Sequence, residues 1–64
     1  MMNRYLIIGG EDGRGRMVIV IAIDEKTAVA KYQEKYKESC YVNDLDDWEY
    51  RRWKEREPQI EEIV

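Results

Sequence analysis

The chain has 64 residues, of which 44% are hydrophobic and 39% charged, with one cysteine and no histidine. At this length it forms one small domain and buries only about 60% of the surface its unfolded form exposes, yet its apolar content is too high for a disordered segment. A single cysteine without histidine excludes an internal disulfide framework, Cys/His zinc sites and histidine-based nucleophilic relays. Most enzyme chemistry goes with them, so no catalytic residue, cofactor or metal is expected.

The net charge of −3 argues against nonspecific adhesion to nucleic acid or to an anionic membrane. Its distribution is uneven: residues 1–23 sum to +1, residues 24–50 to −4 and residues 51–64 to zero. With nothing inside the chain for Cys40 to pair with, a reducing cytoplasm is the expected compartment. The apolar run Tyr5 to Ile8 is too brief for a signal-peptide core, and Met17 to Ile23 falls far below the roughly 20 residues a membrane helix needs.

The β-branched runs at 3–8 and 16–23 flank Gly9-Gly10-Glu11-Asp12-Gly13-Arg14-Gly15, which predicts a β-hairpin with a mobile, glycine-rich tip. Asp24 is a suitable N-cap, and Ala28, Val29, Tyr32 and Tyr36 recur at helical spacing, so a helix is expected over 25–38, packed across one face of the hairpin. Cys40-Tyr41-Val42 reads as a strand. Asp44 is then placed to cap a second helix over 45–56, with Leu45, Trp48 and Arg52 along one stripe and Tyr50 on the other side. Pro58 ends that helix by about Arg56, and Gln59 to Val64 supplies a short edge strand. The fold class is α+β, a small antiparallel sheet packed by helices.

Met17 to Ile23 is apolar at every position, and alternation sends its residues to both faces of a sheet, so both faces need cover. If the second helix does not fold back, Val18, Val20 and Ala22 form an exposed patch that favours a homodimer. If it does, a three-layer core closes within one chain.

Several segments invite a functional reading. The hairpin tip compares with a phosphate-binding loop, but it joins strand to strand, lacks a Gly-Lys-Ser/Thr ending and carries Glu11 and Asp12 where an anion would be repelled. Asp44, Asp46, Asp47 and Glu49 supply oxygen ligands of the kind hard cations prefer, yet Trp48 and the missing glycine defeat a calcium-loop match. Interleaved with Trp48 and Tyr50, the same acids form a candidate surface for a basic protein. Arg51, Arg52, Trp53, Lys54 and Arg56 form the opposite signal, a candidate nucleic-acid surface, although Glu49, Glu55 and Glu57 lie within intrahelical pairing reach. Cys40 has no base to activate it and sits near Glu38, which favours a small apolar role.

From Tyr5 to Glu38 the order of strand, glycine-tipped turn, strand and helix resembles that of small phage and mobile-element proteins, some anti-CRISPR inhibitors among them. The likeness is architectural and carries over no functional residue. The expected function is a non-enzymatic protein-interaction module, of the kind a mobile element encodes as an inhibitor. It would engage a basic protein through Asp44, Asp46, Asp47, Trp48, Glu49 and Tyr50. The alternative is a nucleic-acid-binding module built on residues 51–56.

Overall fold

In the computed structural model, residues 2–10 and 15–64 are described. Two apolar strands, β1 (Asn3–Gly9) and β2 (Arg16–Ala22), pair antiparallel from Asn3 opposite Ala22 to Gly9 opposite Arg16. The expected hairpin is therefore present, while the expectation for its tip falls on residues 11–14, outside the described residues. Next comes α1 (Glu25–Tyr36), capped by the Asp24 side chain, which accepts from the Thr27 backbone N–H at 2.7 Å. The helix stops two residues before the predicted end because Lys37 turns left-handed at φ 53° and its N–H closes on the Gln33 carbonyl.

The third strand, β3 (Cys40–Leu45), pairs antiparallel with β1 on the side away from β2. It runs to Leu45, so α2 (Asp47–Arg56) starts two residues later than the sequence suggests and takes Asp46, not Asp44, as its cap. Asp46 accepts from Glu49 N–H while the Glu49 carboxylate reaches back to the Asp46 N–H, a reciprocal capping box. After Pro58 the chain closes with β4 (Glu61–Ile63), which lies parallel to β2. The sheet order is β3-β1-β2-β4, a mixed four-stranded sheet where a wholly antiparallel one was expected. The reason is α2: it crosses one face of the sheet and returns the chain to the end where β2 begins, so β4 enters in the same direction as β2.

Alternation divides the sheet into two apolar faces, and each has a helix. On one face Tyr5, Ile7, Val18, Val20 and Ala22 pack with Ala28 and Tyr32 of α1. On the other, Leu6, Ile19 and Leu45 are buried, with Tyr50 and Trp53 of α2 and Ile60 packed against them. The second helix therefore folds back and the core closes within one chain as three layers. Val18, Val20 and Ala22, named as a self-association patch, are 2%, 0% and 0% exposed and present no surface, because α1 lies over them.

Three tyrosine–glutamate–cation clusters fasten the layers. Tyr32 donates to Glu38, which also pairs with Arg16 at 2.9 Å. Tyr36 and Lys35 of α1 both reach Glu61. Tyr50 donates to Glu62 at 2.7 Å, and Lys54 pairs with the same carboxylate at 2.8 Å. Adjacent glutamates of β4 point to opposite faces, so Glu61 ties α1 to the sheet and Glu62 ties α2.

Candidate interaction surface

The late start of α2 rotates its faces relative to the sequence expectation. Tyr50 and Trp53 turn inward, while Trp48 and Arg52, which the sequence sets on one stripe with Leu45, face outward although Leu45 is buried. Trp48 is left 63% exposed. The Arg52 guanidinium lies 4.8 Å from the Trp48 ring centroid, and that of Arg56 lies 5.4 Å from the Trp53 ring. With Glu49 these four residues line a shallow depression along the outer side of α2. The intrahelical glutamate pairs expected for the arginines are not formed: among the described residues neither Arg52 nor Arg56 has a carboxylate partner, and both rest on indole faces.

The acidic segment is split by its own local structure. The Asp47 carboxylate accepts from Arg4 at 2.7 Å, and Arg4 also stacks 4.2 Å from the Tyr50 ring centroid. Tyr50 faces the sheet, and its hydroxyl pKa is raised by the hydrogen bond it gives Glu62 and by burial. Asp44, Asp46 and Glu49, in contrast, gather around a second depression at the N-terminal end of α2, with Asn3, Arg4, Tyr5 and Leu45. Asp46 and Glu49 each use one oxygen in the capping box. Glu49 borders both depressions and is the acid that adjoins the tryptophan–arginine face; Asp44 and Asp46 line the second depression alone, while Asp47 and Tyr50 belong to the fastening of α2.

Of the basic cluster, Arg51 is exposed, Lys54 is committed to Glu62 and Trp53 is half-buried on the sheet. The roles of Arg4 and Glu62 escape sequence reading because each acts on a residue far away in the chain. Cys40 is half-buried, and burial, followed by the nearby Glu38 charge, pushes its thiol pKa up, away from a reactive thiolate. No group of three or more metal-ligating side chains forms among the described residues, and no described helix is long and apolar enough to cross a membrane. Comparison with protein-family models, with curated proteins and with solved structures gives no match.

Proposed function

We propose that the chain is a non-enzymatic protein-interaction module that binds through the outward face of α2 and the acidic depression at its N-terminal end. The observation that carries this reading is Trp48. In a domain without phenylalanine, where aromatic rings are needed for the core, a tryptophan is left in solvent under an arginine, beside the half-buried Trp53 under Arg56. Tryptophan and arginine are the residues most enriched at interface hot spots, and stacking holds the guanidiniums in place before a partner arrives. Asp44, Asp46 and Glu49 then favour a partner that brings basic side chains to the rim.

The test is quantitative capture from lysate by the wild-type chain, Trp48→Ala and the triple variant Asp44→Asn/Asp46→Asn/Glu49→Gln, each first checked for folding by circular dichroism. One partner should be lost with Trp48→Ala and should become insensitive to salt with the triple variant. Capture unchanged by both removes the surface from the account.

A second reading, nucleic-acid binding, draws on the guanidiniums of Arg52 and Arg56, which have no carboxylate partner among the described residues, beside the exposed Trp48 indole. Glu49, Glu55 and Glu57 on or beside the same helix oppose it. A low-salt titration with labelled single-stranded DNA and RNA decides the matter, and the absence of a mobility shift rejects this reading.

A further inference from the structure

The two edges of the sheet are built differently. The edge formed by β4 is three residues long and carries Glu61 and Glu62, both features that discourage pairing with another strand. The edge formed by β3 is six residues long and stays in continuous register with β1 from Leu45 to Cys40, with no bulge. It contains no lysine, arginine or proline, and Asp44 is its one charge.

Beside this edge the sheet is not fully covered. Ile8 is opposite Met17 on one side and Tyr41 on the other, so the three side chains form one row on the face that α2 packs against. The helix covers the neighbouring Leu6, Ile19 and Leu45, but Met17 remains 41% exposed and Tyr41 64% exposed. An apolar row thus runs across three strands and stops at an open edge.

We infer that β3 is a self-association edge: two copies pair antiparallel along it, about a two-fold axis through Tyr41, joining two four-stranded sheets into one of eight strands. An antiparallel two-fold axis perpendicular to a sheet keeps each face on its own side, so only registers centred on a residue are allowed. Centred on Tyr41, the pairing sets Tyr41 against the second copy's Tyr41, Cys40 against Val42 and Ser39 against Asn43. Like then meets like on both faces, and the two Met17–Ile8–Tyr41 rows fuse into one of six side chains. Centring on Val42 puts the Asp44 carboxylate opposite Cys40, and centring on Asn43 puts it opposite Val42, so both lose an apolar contact to a charge. The next pair outward in this register would set Glu38 against the second copy's Asp44, two acids, so pairing stops at Ser39, where the Glu38 side chain turns back to Tyr32 and Arg16 of its own chain. The edge is thus its own complement, which is the reason for assigning it to a second copy. The contact is small, so the dimer belongs at the weak end of the range, with a Kd tighter than about 1 mM.

Light scattering over a dilution series should show the mass rising towards twice that of the monomer, and Tyr41→Lys, which places a charge on the axis at an exposed position, should hold it at the monomer. In a Cys40→Ser background, the single-cysteine variants Tyr41→Cys, Val42→Cys and Asn43→Cys locate the axis: under mild oxidant Tyr41→Cys should cross-link about tenfold faster than the others, since only it faces its own copy at disulfide distance. A chain that stays monomeric to about 1 mM overturns the inference. So does a dimer indifferent to Tyr41→Lys, faster cross-linking at 42 or 43, or an edge occupied by a foreign strand while the chain itself stays monomeric. The inference does not rest on the proposed role of the outer face of α2, although Asp44 at the end of β3 also borders the acidic depression, so Tyr41→Lys is the variant that separates the two.

Discussion

Gly9 and Tyr32 occupy one another's space. A Cβ at Gly9 would lie 1.7 Å from the Tyr32 hydroxyl oxygen, 2.5 Å from Cζ and 2.9 Å from a Glu38 carboxylate oxygen. Gly9 does not adopt the positive φ that Gly10 does, so alanine there strains no backbone and the effect is purely steric. Tyr32 is fully buried and cannot swing aside without leaving its packing on Tyr5, Ile7 and Val18 and its bond to Glu38. Overpacking of this kind costs about 1–3 kcal/mol, and expelling a buried aromatic about 3–5. Gly9→Ala is therefore expected to destabilise by about 3 kcal/mol, against a total of about 3–10 for a domain of this size. Urea unfolding followed by tryptophan fluorescence measures it, since Trp53 reports on the second core. The decisive comparison is the double variant: with Tyr32→Leu already present, Gly9→Ala should cost almost nothing more. A Gly9→Ala penalty below about 0.5 kcal/mol, or an equal penalty in both backgrounds, refutes the steric account.

Three further outcomes are expected. Lys35 and Tyr36 hold the Glu61 carboxyl below its ordinary pKa of 4.5, Lys54 and Tyr50 do so for Glu62, and Tyr32 and Arg16 for Glu38. A depressed folded-state value means the contribution is complete above that ordinary pKa and is lost as pH falls through the lower folded values, so urea midpoints should drop below about pH 4.5, and the triple Glu→Gln variant should flatten that slope. Asp46→Ala removes half of the capping box and should cost about 1 kcal/mol by thermal unfolding, whereas Asp44→Ala, which caps nothing, should leave the midpoint in place. Tyr50→Phe should raise amide hydrogen exchange in α2 while leaving β1 and β2 protected, and uniform acceleration throughout would contradict the role assigned to Glu62.

The hairpin and α1 are legible in the sequence because their signals are local: unbroken β-branched runs, an Asp24 cap and a stripe through Ala28 and Tyr32. Reading fails where the signal is distant. Asp44 and Asp46 are equally good caps in isolation, and the choice between them is made by Leu45, which extends β3 opposite Arg4 to bury itself under α2. With that shift Tyr50 and Trp48, grouped on one candidate surface in the sequence, are separated: Tyr50 packs on the sheet and Trp48 stays outside. The parallel entry of β4 is likewise set by where α2 delivers the chain. Arg52 and Arg56 of α2 have glutamates at pairing distance in sequence, yet their planar cations settle on neighbouring indoles, a preference that charge counting does not register.

The way β4 is held sets the order in which the molecule comes apart. β1 is stitched to β2 by seven residue pairs and to β3 by six, while β4 is held by three, by the two glutamates it carries and by Ile63 packed on the α1 side. Traction on the last residues breaks those pairs and both glutamate attachments together. α2 then peels away on its side-chain grip alone, and what survives is a three-stranded ribbon backed by α1, with Leu6 and Ile19 bare. The C-terminal strand is a latch: small itself, it decides whether one whole layer stays shut.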